Sequence, residues 1–390
     1  MAIPLNYSLR SLWRRRRTTL ATAAGLALSV FVLASSLMLA EGVRQTATTT
    51  GGDDRALVLQ HDSFAEDSSG IDQGAVGLVA SAPGVRRDGA GRSLVSAESV
   101  VQLPFSKLGD DSQNFSVQVR GVTERSFDVR PSVRITQGRL PKSGTNEAIL
   151  GRGLVGHYEG LALGGRFETG KNARFAIVGV FEAAGSAYES EVWADLDALR
   201  ASLGWSGYVS SVTAVLESPA AFGAFARSLE QDKRHGLRAE RERTYYQKVS
   251  QNLFDAIVAL GSLVTFIVSL GALLGSTITL YASVGQRGRE IGVLRALGFS
   301  RSQVLLAFLI ESLVLSLAGA ASGVLLALST PFFDFATTNM QTGQAVTFHF
   351  QPTFAALAGS LLLGTAVGVL GGLFPARSAA RVDPTRALRA

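Results

Sequence analysis

The 390-residue chain has no cysteine. That excludes a disulfide scaffold, a thiolate metal site and thiol chemistry. Histidine is scarce: His61, His157, His235 and His349 are scattered and make no metal-ligand spacing. Charged residues are only 17%, against 47% hydrophobic. This is too apolar for an ordinary soluble protein and not apolar enough for a chain lying wholly in a membrane. A membrane protein with one sizeable soluble part fits the balance. Catalytic signatures are also missing. No G-x-x-x-x-G-K-[ST] loop is present, so ATP is not bound in the P-loop way, and no G-x-S-x-G, H-E-x-x-H or Ser–His–Asp ordering stands out. The net charge is +6. The positive residues cluster beside apolar runs, which argues for a bilayer and against nucleic acid as the partner.

Long apolar runs are what the chain does have. A bilayer core of about 30 Å needs about 20 helical residues. Four segments qualify: 18–40, 254–281, 304–330 and 353–374. The first follows four arginines, as a signal peptide might, but its apolar run is too long and Met38 and Ala40 make no small-x-small site, so it reads as an uncleaved anchor. Gly261, Gly271 and Gly275 punctuate the second span. Gly364, Gly368 and Gly372 recur every fourth residue in the last, on one face where another helix could approach closely. Ordinary glycine enrichment of membrane helices is the alternative.

Arginine placement predicts the orientation. Arg10 and Arg14 to Arg17 precede the first span. Arg287, Arg289, Arg295 and Arg301 lie between the second and third, and Arg377, Arg381, Arg386 and Arg389 follow the fourth. The 331–352 loop has no lysine or arginine. The N-terminus (1–17), the 282–303 loop and the 375–390 tail are therefore expected in the cytoplasm, with 41–252 and 331–352 outside.

The outer region reads as α+β. Residues 55–60, 147–151, 174–181 and 210–217 are β-rich, as are "SLVSAESVVQLPF" and "NFSVQVRGV"; 71–85 and 219–233 read as short helices. One strand–helix pair early and one late suggest a split core with a β-rich insertion at about 115–200. From about 239, "AERERTYYQKVSQNLF" runs into the second span without a breaker, and a continuous stalk helix over 239–253 is expected.

Between the second and third spans lies "GQRGREIGVLRALGFSRSQ". Residues 286–297 can form a helix with Ile291, Leu294 and Leu297 on one stripe and Val293 beside it. Arg287 and Glu290 can pair at i, i+3. Gly298 suits a helix stop, and Ser300 with Gln303 makes a capping box for the next helix. The segment could lie on the membrane surface or dock a cytosolic partner. Glu311 stands about two turns into the third span; an intramembrane carboxylate is costly, and either a structural or a transport role is open.

The stretch resembles the signature of the MacB/FtsX family of ABC-transporter permeases. The family pattern R-x-x-E-I-G-x-L-R-A-x-G-x-S is matched by Arg287, Glu290, Ile291, Gly292, Leu294, Arg295, Ala296, Gly298 and Ser300, and Glu311-Ser312 in the next span is also family-like. The start "LNYSLRSLWRRRRTTL" resembles the family's amphipathic elbow. Pro375, Ala376, Ala379, Ala380, Pro384, Ala387, Leu388 and Arg389 resemble its tail, and the middle of the chain resembles its periplasmic core domain. The resemblance implies a four-span membrane protein of the inner membrane with its large α+β domain between spans 1 and 2. It implies a non-catalytic permease that works as a dimer, with a second copy or a related chain. The ATPase would be a separate cytosolic chain holding ATP and Mg, and would receive the 286–297 segment as a coupling helix. Work would be done on the outer face, the mode called mechanotransmission, on a hydrophobic or amphipathic substrate such as a lipid, lipoprotein, peptide or drug. A membrane-fusion protein and an outer-membrane channel would be further partners if the assembly is tripartite. Two other readings remain: an FtsX-like regulator of an extracytoplasmic cell-wall hydrolase, which capture of a hydrolase by 41–252 would favour, and a sensor with no ATPase, which the coupling-like motif opposes.

Overall fold

A computed structural model describes residues 16–170, 173–332, 335–338, 345–348 and 350–382. Most of the expected elbow and the tail positions Pro384, Ala387, Leu388 and Arg389 lie outside the described residues. The described chain divides into a helical unit (16–42, 255–332 and 350–382) and a sheet unit (43–254 with 335–338 and 345–348).

Four helices are long and apolar enough to cross a membrane. They are α1 (Arg16–Thr49) and, in chain order below, α6, α8 and α9. The sheet unit holds β1 (Arg55–Gln60), β2 (Ile71–Asp72), α2 (Gln73–Ser81), β3 (Val95–Lys107), β4 (Asp110–Val122), α3 (Glu124–Val129), β5 (Arg134–Gly138), β6 (Glu147–Gly151), β7 (Arg166–Glu168), β8 (Arg174–Glu182), β9 (Glu191–Asp195), α4 (Leu196–Leu203), β10 (Tyr208–Val209), β11 (Ser211–Val215), α5 (Phe222–Glu230) and β12 (Leu237–Arg241). Then come α6 (Glu242–Gln286), α7 (Gly288–Ala296), α8 (Arg301–Ala327), the short hairpin β13 (Phe335–Thr338) and β14 (Ala345–Phe348), and α9 (Phe354–Ala380). The α+β domain thus stands between the first and second membrane-length helices, as the family resemblance implies.

One ten-stranded sheet runs β12-β1-β11-β3-β4-β9-β6-β8-β5, with β7 added on β8. The 13-residue strands β3 and β4 form an antiparallel hairpin. They carry the sheet from the half covered by α2 and α5 to the half covered by α4. The first half packs Val58, Val79, Leu216, Phe225 and Leu229, and the second packs Val117, Leu150, Phe175, Ile177 and Leu199. The stalk begins later than the sequence suggests. Residues 237–241 are a strand paired with β1 from Ala56↔Arg241 to Gln60↔Leu237, and the helix starts at Glu242. The sequence "LRAER" favours helix locally. Its alternation lets Leu237 and Ala239 close the core, while Glu240 reaches Lys248 on the following helix, so sheet pairing prevails.

Polar packing joins strand faces that the alternation assigns to solvent. Arg120 on β4 is fully buried. It donates to Glu66 (2.8 Å), Glu98 (2.9 Å) and Glu191 (2.7 Å). Arg130 is equally buried. It pairs with Glu98 and with Glu242 (3.1 Å), the first residue of α6. Tyr188 Oη and the Gly52 N–H also donate to Glu242. Gln118 and the Trp193 indole complete the shell of Glu191. Every group here has a partner of opposite charge, the condition for holding charge away from water.

In the helical unit the glycine face of α9 is a contact face. A Cβ at Gly364 would meet Val30 and Ala320, at Gly368 it would meet Ser316, and at Gly372 it would meet Ser312. α1 and α8 therefore lie against α9 at backbone range, as small residues allow in lipid. At Gly271 and Gly275 of α6 a Cβ would meet nothing within 4 Å.

Two outcomes follow from this packing. Gly368→Leu should force α8 from α9 and lower stability by about 1–3 kcal/mol, as overpacking does, while Gly275→Leu should leave the melting temperature in detergent unchanged. Equal effects would contradict the packing. The sheet unit should also be acid-labile. Burial raises the pKa of Glu66, but the Arg120 charge and its hydrogen bonds overcome this and hold it at about 2, below the ordinary 4.5. A depressed folded-state value means that Glu66 stabilises the fold above about pH 4.5 and loses that contribution as pH falls toward 2. Burial pushes the Glu191 carboxyl up, which acts in the opposite sense, so the contribution of Glu66 is read as a difference. Denaturant midpoints followed by tryptophan fluorescence should fall more steeply across that window in the parent than in Glu66→Gln. Parallel midpoints would contradict it.

Candidate functional site

The basic segment between α6 and α8 is built by its ends. Arg287 breaks the run of α6, with φ −105° and ψ 9°, and α7 begins at the next residue. At the far end Phe299 N–H donates to Leu294 O and Gly298 N–H to Arg295 O, both at 3.2 Å. These are the paired bonds of a Schellman stop, and Gly298 takes the left-handed conformation the stop needs, φ +97°. Ser300 then caps α8. Its hydroxyl accepts from Gln303 N–H at 3.3 Å and Gln303 Oε1 accepts from Ser300 N–H at 2.8 Å. The capping box and the glycine stop stand where the sequence places them.

What seats the segment is an ion pair. Arg287 Nη1 lies 3.0 Å from Glu311 Oε2, and the two side chains are 10% and 6% exposed. Glu311 lies within α8, so the start of α7 is tied to the third membrane-length helix. Beside the pair, Ile291 packs with Val284 of α6, Val304 and Phe308 of α8, and Ala376 and Ala379 of α9. One aliphatic side chain and one guanidinium thus anchor α7 to three helices.

The stripe expected through Ile291, Leu294 and Leu297 is divided. Ile291 and Gly292 are buried, Leu294 and Arg295 are half-buried, and Leu297 is 72% exposed. At about 100° per residue, positions 291 and 297 point about 120° apart. Val293 and Leu297, four apart, share the outward face with Arg289, Glu290 and Ala296. Gly298 and Ser300 are also exposed. Arg295 donates to Phe299 O at 3.3 Å, and its buried Nε has no hydrogen-bond partner among the described residues. The nine motif residues are brought together in one short element, and Glu311 joins them through Arg287. That long-range pair is invisible in the spacing, although an intramembrane carboxylate beside a basic loop is the signal that could have found it.

A buried pair stripped of one member is costly, about 3–5 kcal/mol. Glu311→Gln and Arg287→Gln should each lower the unfolding midpoint in detergent by a loss of that order. Replacing both with methionine should recover most of it. Additive losses in the double variant would show that the two side chains do not act as a pair.

The FtsX-like permease C-terminal family matches residues 262–384, and the MacB-like periplasmic core domain matches residues 19–232. The macrolide export ATP-binding/permease protein MacB of Sodalis glossinidius (strain morsitans) is 26% identical over 409 residues, covering 98% of this chain and 60% of that protein. The ABC transporter permease YknZ of Bacillus subtilis (strain 168) is 28% identical over 206 residues, covering 51% of this chain and 49% of that one. The chain therefore spans about half to three-fifths of the length of these relatives. The periplasmic region of MacB from Actinobacillus actinomycetemcomitans aligns with a TM-score of 0.37 and 13% identity, over 53% of this chain and 97% of that structure. With the periplasmic core match spanning more than half of its residues and the permease match covering α7 and the last two membrane-length helices, the chain belongs to the MacB/FtsX family of ABC-transporter permeases.

Proposed function

We propose that this chain is the membrane subunit of an ATP-driven transporter whose ATPase is a separate chain, and that α7 is the element the ATPase moves. The observation that carries the reading is the two-sided character of α7. Its inner side is anchored by Ile291 and by Arg287–Glu311, and its outer side presents Val293 and Leu297 between Arg289 and Glu290. A membrane-surface helix would turn its apolar side chains to lipid and its charges to water, whereas here the apolar Val293 and Leu297 share one face with Arg289 and Glu290. Two exposed aliphatic side chains on a rigidly held turn suit insertion into a protein groove, where buried apolar anchors carry most of the binding. Glu290 and Arg295 supply polar contacts at the edge. ATP and Mg sit on the ATPase; one relative is itself named an ATP-binding/permease protein.

The remaining parts follow from that reading. The three basic clusters support a cytoplasmic α7, N-terminus and tail, with residues 41–252 and 331–352 outside. α6 offers an outward face of Leu263, Phe266, Ile267, Leu270, Leu274 and Ile278 with Gly271 and Gly275 open to close approach; a second copy or the bilayer covers it. α6 is unbroken from Glu242 to Gln286, about 68 Å at 1.5 Å per residue. Movement delivered beside α7 is thereby passed along one helix to the outer domain, which acts on a hydrophobic or amphipathic substrate. The periplasmic core match over 19–232 favours export over switching of a cell-wall hydrolase.

The test is co-purification. Chain extracted in mild detergent should bring down a P-loop ATPase in near-equal amount, with ATP hydrolysis in the eluate. Leu297→Asp, at an exposed site, or Glu290→Lys with Arg295→Glu, should reduce that ATPase more than tenfold (about 1.4 kcal/mol or more of binding) while the melting temperature of Leu297→Asp stays unchanged. A stable membrane dimer with no ATPase would overturn the reading.

A further inference from the structure

The sheet unit carries a concave site of its own. Gln60 with residues 67–70, 204–206 and 208–210 line a cleft of about 550 Å³, within the range of small-molecule sites. Its wall holds two aromatic rings that the core does not use: Trp205 is 39% exposed and Tyr208 is 56% exposed. Gln60, Ser68 and Ser206 supply hydrogen-bonding groups, and Asp67 supplies a carboxylate. Among the described residues no lysine or arginine lines the cleft or pairs with Asp67.

The charge beneath the cleft does not oppose a cation. Glu66, next to Asp67, belongs to the buried network in which Glu66, Glu98, Glu191 and Glu242 face Arg120 and Arg130, with Arg55 at its edge beside Glu242. Four carboxyl groups against three guanidiniums leave no positive excess there. Partial burial and the Glu66 charge push the Asp67 carboxyl up from its ordinary 3.8, so its ionised form gains when a cation arrives. Aromatic faces attract cations through their quadrupole, most strongly at Trp. An anion would meet repulsion here, and a neutral apolar body would leave the carboxylate uncompensated.

We propose that this cleft is a binding site for an organic cation with a flat apolar body, held by Asp67 as counter-ion and by Trp205 and Tyr208 as stacking faces. The site is independent of the ATPase reading and is tested without nucleotide. The full chain in zwitterionic lipid nanodiscs is titrated with ethidium, a permanently charged aromatic cation, and followed by ethidium anisotropy and tryptophan quenching; empty nanodiscs are the blank. Neutral phenanthridine is the matched control. Saturable ethidium binding is expected, weakened about tenfold by Asp67→Asn, by Trp205→Ala or by Tyr208→Ala and weakened by added salt, with no saturable binding of phenanthridine. Because all three side chains are exposed, each variant should keep the parent melting temperature. The proposal is overturned if ethidium does not saturate, if phenanthridine binds as well, or if Asp67→Asn and Tyr208→Ala both leave the affinity unchanged.

Discussion

The helical unit depends on one ion pair. Arg287 and Glu311 are buried within 3.0 Å of each other, and neither charge could stay there without the other. The pair forces the chain to turn at the end of α6, because Arg287 must face inward while its neighbours face out. Once the turn is made, Ile291 drops among α6, α8 and α9, and the Schellman stop and the Ser300 cap close the element before α8 begins. The result is a nine-residue helix held firmly on one side and open on the other. On the proposed reading this stiffness matters: a force applied to its outer face would be borne by three helices at once.

The same rule, that charge is buried only when matched, organises the other end of α6. Glu242 opens that helix with its carboxylate fixed by Arg130, Tyr188 and the Gly52 amide. Arg120 and Arg130 draw loop, strand and helix residues from distant parts of the sequence onto one point. On the proposed reading, α6 is gripped at both ends, by Glu242 in the sheet unit and by the turn at Arg287 in the helical unit. A helix fastened in this way can carry displacement along its axis. A loosely attached one would absorb it.

Much of this was legible in the sequence. Apolar length identified all four long helices, and the capping box, the Gly298 stop and the family motif located α7 to within two residues. Alternation found β1, β4, β6 and β8. What failed was whatever depends on contacts across the fold. "LRAER" has the local propensity of a helix and becomes β12 because β1 offers it a pairing edge. Arg120 sits at an outward position of an alternating strand, yet that face is covered, so pattern alone assigns it to water. Leu297 was expected on one stripe with Ile291 and Leu294, and the helical angle turns it outward while Ile291 is buried. The glycines of α9 could not be told from general enrichment until Val30, Ser312 and Ser316 were seen against them.

The central claim is that α7 moves when ATP binds to the partner. The chain has no cysteine, so Gln286→Cys, at an exposed position beside α7 and outside its Val293–Leu297 face, introduces a unique attachment point. A spin label there, in the complex purified with its ATPase, reports the distance between α7 in the two copies by double electron–electron resonance. The account predicts a single shorter distance with ATP trapped by a slow-hydrolysing ATPase variant than without nucleotide. A distance that does not change with nucleotide, or no dipolar signal at all, would contradict it.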